Sequence, residues 1–172
     1  DLLGPGRMQA ASAAGFDGGP NVPRNAPTTF NTVLYRSQLF WDGRVGRNPL
    51  DGGILTPDSA SPTASDANAG PSLLTAQSRF PVTSEAEMRS FDFEVGTTRD
   101  AVRFHLGARL GGYGIGAGEI PDAWLPLFRE AFREPFGTAQ ELVHYNNVAL
   151  ALAAYQSSQL FVDNPWNHYV LG

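Results

Sequence analysis

Apolar side chains recur at helical spacing in the second half of the chain, whereas polar and glycine-rich stretches fill much of the first half. The apolar positions after Thr98 follow a helical period, and Gly111 with Gly112 predicts where that helix ends. A second apolar stripe runs from Trp124 to Phe132 at positions i, i+3, i+4 and i+8. The pattern therefore predicts a mostly α fold with long ordered loops and little or no strand.

Two capping boxes predict helix starts. In the pairs Ser84 with Glu87 and Thr138 with Glu141, a hydroxyl residue precedes a glutamate by three positions. The hydroxyl accepts from a backbone N–H at the helix start, and the glutamate reaches back to the first residue. We expect the second box to open the longest helix, which continues to about Leu160. The proline-containing segment after that helix predicts a loop exit.

The first half of the chain divides by composition. Residues 1–36 show no sustained period, and residues 37–44 place an apolar run before Asp42 and Gly43, which is a turn signal. Residues 45–71 form the clearest loop, because 56–72 consist almost entirely of small and polar residues. Such a stretch cannot bury enough apolar surface to offset its ordering entropy unless it lies on a partner. The sequence therefore predicts a single segment made of a loop region (1–44), a loop insert (45–72) and a helical region (73–172).

Length, charge and cysteine content exclude several classes of protein. The chain has 172 residues, which is enough for one domain or one segment of a larger protein. A net charge of −5 disfavours a nucleic-acid partner. No apolar run reaches about 18 residues, so the sequence predicts no membrane span. The absence of cysteine excludes disulfides and thiolate metal ligands.

Short motifs in a fixed order resemble a known family. They are Asn25-Ala26-Pro27-Thr28, Phe40-Trp41-Asp42-Gly43-Arg44, Glu87-Met88 and Asn164-Pro165-Trp166-Asn167-His168-Tyr169. In this order they resemble the di-haem cytochrome c peroxidases, a family that also includes MauG, the maturation enzyme of methylamine dehydrogenase. The resemblance covers roughly residues 16–172 and implies cytochrome-c-like helical segments.

The resemblance implies haem c as a cofactor, with one haem in each of two domains. A c-type haem is attached through a Cys-x-x-Cys-His motif, which this chain cannot supply. The haems would therefore be attached outside this chain, on flanking segments or other chains. We interpret the chain as the central part of a longer protein, between the two attachment motifs. A cleaved fragment and a divergent haemless relative both stay open.

The resemblance also implies roles for two catalytic candidates. Glu87 matches the glutamate that takes a proton from peroxide and returns it to the leaving oxygen. Its alternative role is that of the capping-box glutamate. Trp41 matches the tryptophan that lies between the two haems and assists electron passage. Its alternative role is core packing beside Leu39 and Phe40.

Three further residues are candidates for cofactor or metal binding. Arg44 would pair with a haem propionate through its guanidinium fork, or alternatively form an ion pair with Asp42. Met88 would lie next to a haem, or alternatively fill the core. Asn25 matches an asparagine near a bound calcium, an ion that prefers oxygen ligands. Its alternative role is turn formation before Ala26 and a proline.

The resemblance implies a periplasmic enzyme that reduces hydrogen peroxide to water with electrons from a small electron-donor protein. Two alternatives stay open. The first is an oxidase relative that acts on a protein partner, as MauG does. The second is a haemless structural or interaction subunit of a redox assembly. The chain alone leaves open whether it is an enzyme, because it lacks haem-attachment cysteines.

Overall fold

A computed structural model of the chain describes residues 26–89, 96–114 and 124–172. The chain divides into two compact units. The first comprises Asp1–Arg24 and Pro81–Val148, and the second comprises Asn25–Phe80 and Ala149–Gly172. Helices dominate the described residues, which confirms the predicted mostly α fold. None of the described helices is both long and apolar enough to cross a bilayer.

A small antiparallel sheet organises the second unit. Its strands are β1 (Gln38–Leu39), β2 (Val45–Arg47) and β3 (Ile54–Leu55), in the order β1-β2-β3. Leu39 lies opposite Val45, so the β1–β2 hairpin places two apolar side chains side by side. Both residues are buried, because the same face of the sheet is covered by the core of the unit.

The core of the second unit lies between this sheet, helix α1 (Leu73–Gln77) and helix α5 (Tyr145–Ser158). Ser72 begins α1, and its side chain accepts a hydrogen bond from the Thr75 backbone N–H. The buried apolar residues that form this core are Leu39, Val45, Ile54, Ala69, Leu73, Leu74, Ala76, Phe80 and Ala153.

The stretch predicted as a loop insert (45–72) has mostly irregular structure, but it contains the two short strands β2 and β3. It contributes Val45, Ile54 and Ala69 to the core. Its polar residues bond to one another: Asn48 Nδ2 donates to Thr63 O at 3.1 Å and to Ser65 Oγ at 3.0 Å. The three buried residues and these hydrogen bonds offset the entropy cost of ordering the stretch. The composition of the stretch alone does not indicate them.

The first unit contains a 3₁₀ turn (Pro81–Thr83), a π-helical turn (Glu85–Arg89) and helices α2 (Arg99–Gly111) and α3 (Trp124–Phe132). Both α-helices confirm the sequence prediction. Thr98 caps α2, and Gly112, at φ 68°, ends it. An apolar cluster joins these helices to the chain that follows. Its members are Leu110, Leu125, Phe128, Phe132, Leu142, Val143 and Val148.

The longest predicted helix is interrupted in the structure. The capping box of Thr138 and Glu141 is present, but the helix it opens, α4 (Ala139–Leu142), ends after one turn. Val143 leaves the helical region with ψ 52° and is fully buried. Its carbonyl accepts from Tyr113 Oη at 3.1 Å. Contacts with α2 and with Tyr113, which follows it, therefore override the local helical pattern, and α5 begins two residues later.

The end of the chain differs from the predicted exit loop. Helix α6 (Pro165–Leu171) occupies this stretch. Asn164 caps it by accepting from the Asn167 backbone N–H at 2.9 Å, and a proline occupies its first position. An Asn cap followed by proline is a common helix start, because proline lacks an N–H that would need a partner there.

Candidate functional site

Trp41 lies at the tip of the β1–β2 hairpin. The Gly43 backbone N–H donates to Phe40 O at 3.2 Å and closes the turn. Both Phe40 and Gly43 have positive φ, 64° and 65°. The Trp41 side chain is 98% exposed. Core packing, the alternative role for this tryptophan, is therefore wrong.

Trp41 also borders a groove in the second unit with a volume of about 650 Å³. One wall comes from the segment before the hairpin and includes Leu34 and Tyr35, which are each about half exposed. The other wall includes Gln77 and Gln156, whose side chains are hydrogen-bonded at 3.0 Å. This size is in the range of small-molecule and cofactor sites. Aromatic and aliphatic side chains form the apolar part of its lining, beside threonine and glutamine side chains.

Arg44 lies in the same hairpin and forms a forked ion pair with Asp42. Its Nε donates to both carboxylate oxygens at 3.0 Å, and its Nη2 lies 2.6 Å from Oδ2. The guanidinium carbon also lies 5.4 Å from the centroid of the Phe40 ring. The ion-pair role of Arg44 is therefore observed, and its pairing with a propionate stays a prediction. The structure brings Arg44 and Trp41 together on one turn.

Glu87 and Met88 lie on the π-helical turn of the first unit. The backbone N–H groups of Glu87 and Arg89 both donate to Ser84 O, at 3.2 and 3.0 Å. Single π-turns are rare and occur frequently at functional sites. Glu87 is half-buried, and its Oε2 atom is shielded from solvent. Met88 is 61% exposed, so it does not fill the core.

Asn25, the predicted calcium ligand, lies outside the described residues. Within the described ranges, no group of three or more His, Asp or Glu side chains is arranged to hold a metal ion. The calcium role of Asn25 stays a prediction.

Sequence reasoning missed Asn31, which ties the segment that lines the groove to the residues just after α5. Its Oδ1 accepts from the Phe161 N–H at 2.7 Å, and its Nδ2 donates to Phe161 O at 3.3 Å. Its own N–H donates to Gln159 O at 2.9 Å. The rings of Phe30 and Phe161 meet edge to face with centroids 5.0 Å apart. Asn31 has φ 60°, a conformation that asparagine tolerates, but no local signal identifies a partner 130 positions away.

The strained backbone at Phe40 is a second feature that the sequence does not reveal. An aromatic residue followed by Trp-Asp-Gly between two apolar positions is consistent with a hairpin turn, since Asp-Gly is a common turn signal. Nothing in the sequence indicates that the aromatic residue itself adopts a positive φ.

Comparison with known proteins agrees with the motif order. The model of the family described as di-haem cytochrome c peroxidase matches residues 5–172. The chain is 29% identical over 150 residues to the cytochrome c551 peroxidase of Pseudomonas aeruginosa. That alignment covers 87% of this chain and 29% of the relative, so the chain spans less than a third of the relative's length. No significant match to a solved structure was found.

The family match implies haem c as the cofactor. The residues fit such a group without attaching it, because the groove offers an apolar wall and the sequence has no cysteine for a thioether bond. The family model covers nearly all of the sequence. The chain belongs to the di-haem cytochrome c peroxidase family.

Proposed function

We propose that this chain forms the central, haem-facing part of a periplasmic di-haem peroxidase that reduces hydrogen peroxide to water. The electrons would come from a small electron-donor protein, and the haems would be attached to flanking segments or other chains. The observation that carries the proposal is Trp41, which is almost fully exposed beside an apolar groove in a member of a di-haem family. Bound haem would supply the redox chemistry.

Glu87 would handle the proton in this reaction. A carboxylate can take a proton from one oxygen of peroxide and give it to the other, which leaves as water. The π-helical turn supports this role, because it fixes the backbone of Glu87 through two bonds to Ser84 O. The half-buried position also limits the access of bulk water, which would otherwise compete for the proton.

The remaining candidate residues would bind or orient the haems and a calcium ion. Trp41 would bridge the two haems, and the exposed Met88 would contact a porphyrin face or edge. Arg44 would contribute positive charge near a propionate, either directly or through its ion pair. Asn25 would supply an amide oxygen to a calcium ion.

The test of the proton role is Glu87→Gln in the haem-loaded protein. Glutamine keeps the size and the hydrogen-bonding atoms but cannot carry the proton, so we expect peroxide turnover to fall by about 10² to 10⁴. Glu134→Gln is the matched control, because Glu134 is exposed in the same unit. Haem absorbance measured on each variant checks cofactor loading.

The outcomes separate the alternatives. Undiminished turnover in Glu87→Gln would remove this residue from the mechanism. A protein that carries haem but oxidises a protein partner instead of consuming peroxide would be the MauG-like oxidase. A complete protein that purifies without iron or a haem absorption band would be the haemless subunit.

A further inference from the structure

The backbone of Phe40 is in a conformation that bulky residues avoid. Its φ is 64°, in the left-handed region where the Cβ approaches the following carbonyl. Aromatic residues rarely adopt it. Such strain persists only where the surrounding structure enforces it, and it clusters at functional sites. Phe40 directly precedes Trp41, so the conformation sets the direction in which the chain presents the indole.

Three contacts hold Phe40 in place. Its ring meets the buried Phe80 ring edge to face, with centroids 5.8 Å apart. The guanidinium carbon of Arg44 lies 5.4 Å from the same ring. The Phe40 carbonyl accepts from the Gly43 N–H at 3.2 Å. The core, a cation and the backbone of the turn therefore all constrain one residue.

Arg44 joins the two sides of the turn. Its fork pairs with Asp42, the residue after Trp41, while its guanidinium approaches the ring of Phe40, the residue before it. The Arg44 side chain is only 23% exposed, so the pair is partly shielded from water. Both chain neighbours of Trp41 are thus held by the same guanidinium, while the indole projects into solvent at 98% exposure.

We propose that Phe40 and Arg44 are positioning residues that fix the backbone direction from which the Trp41 side chain projects. The fixed direction matters because a bridge between two haems needs a defined orientation, which requires support from surrounding side chains. The functional consequence rests on the proposed function of Trp41, whereas the positioning itself does not. As a positioning residue, Arg44 has a role inside the turn that does not depend on a haem propionate.

The first experiment measures the motion of Trp41 in the 172-residue chain. Trp124→Phe and Trp166→Phe leave Trp41 as the sole tryptophan, since the sequence has three. Time-resolved fluorescence anisotropy then reports how freely the indole moves. We expect Phe40→Gly, which relieves the strain and deletes the ring, and Arg44→Met, which deletes the fork, to lose most of the residual anisotropy. Arg44→Lys, which keeps the charge alone, should lose part of it.

Arg47→Met is the matched control, because Arg47 is an exposed arginine of the same hairpin outside the turn. Its anisotropy should equal that of the parent. Far-UV circular dichroism checks the fold of each variant. Should Phe40→Gly fail to fold, the partly exposed Arg44→Met still provides the test. Unchanged anisotropy in the folded turn variants would overturn the proposal.

The second experiment measures the rate of electron transfer between the haems in the haem-loaded protein. We expect that rate to fall in Phe40→Gly, Arg44→Met and Trp41→Phe, and to stay unchanged in Arg47→Met. An unchanged rate in Trp41→Phe, with anisotropy lost in the turn variants, would support the positioning role and refute the bridging function. A normal rate in the turn variants combined with unchanged anisotropy would refute the positioning role.

Discussion

A substitution at Gly107 tests why the longest predicted helix is interrupted. It lies in the middle of α2, where a glycine is normally unfavourable. A Cβ added there would lie 3.2 Å from three backbone atoms: the Val143 carbonyl oxygen, the His144 Cα and the Tyr145 nitrogen. The glycine therefore permits α2 to approach the junction between α4 and α5 closely.

Two opposing effects set the stability of Gly107→Ala. Alanine in a helix interior is favoured over glycine by about 1 kcal/mol. Forcing an extra methyl group into a well-packed contact costs about 1–3 kcal/mol. The neighbouring atoms belong to the backbone next to the fully buried Val143, so they cannot rotate away. We expect the steric cost to win, with a net loss of about 1 kcal/mol in the free energy of unfolding.

Thermal and urea denaturation followed by far-UV circular dichroism measures this loss. For a chain of this size, 1 kcal/mol corresponds to a Tm lower by roughly 2–4 °C. Gly107→Val should be more destabilising still, because it adds volume at the same contact. Gly112→Ala is the control: it has no atom near the new Cβ, so only its positive φ carries a cost. A higher Tm for Gly107→Ala would refute the close approach of α2 to this junction.

Two further predictions concern the tie at Asn31 and the helix cap at Thr138. Asn31→Gly keeps the positive φ but removes both side-chain bonds to Phe161, so the free energy of unfolding should fall by about 1–2 kcal/mol, as urea denaturation would measure; a variant as stable as the parent would contradict the tie. Two hydrogen bonds from Thr138 lower the pKa of Glu141: the larger effect comes from its backbone N–H and the smaller from its side-chain hydroxyl. The resulting stability is fully present above the unfolded pKa of Glu141 and is lost as the pH falls through its lower folded pKa. Thr138→Ala removes only the side-chain bond, so the pKa of Glu141 in a carbon-detected NMR titration should rise part of the way to its usual value, and an unchanged pKa would refute this account.

Local signals in the sequence were sufficient for the elements whose ends are fixed locally. Helix α2 begins at the Thr98 cap and ends at Gly112, and both signals are legible in the sequence. The capping box of Thr138 and Glu141 is likewise local and is present. The Asn164 cap and the proline that begin α6 are also local signals, and they indicate a helix where an exit loop is predicted.

Other features depend on residues far apart in the sequence. The break at Val143 requires Gly107 of α2 and Tyr113, which follows that helix, and the Asn31 tie requires Phe161. The periodicity of apolar residues cannot predict such long-range contacts. For the candidate site, the motif order identified the family, but the exposure of Trp41 required coordinates.

The hydrogen bonds within residues 45–72 determine which sequence changes this stretch can tolerate. Ser65 Oγ donates to Asp51 Oδ1 at 2.7 Å, and Thr56 Oγ1 donates to Asp66 Oδ2 at 2.8 Å. A replacement of one such hydroxyl disturbs only its immediate neighbours. A deletion across the stretch removes two strands and uncovers the apolar face beneath them. Homologues should therefore tolerate substitutions here more readily than shortening.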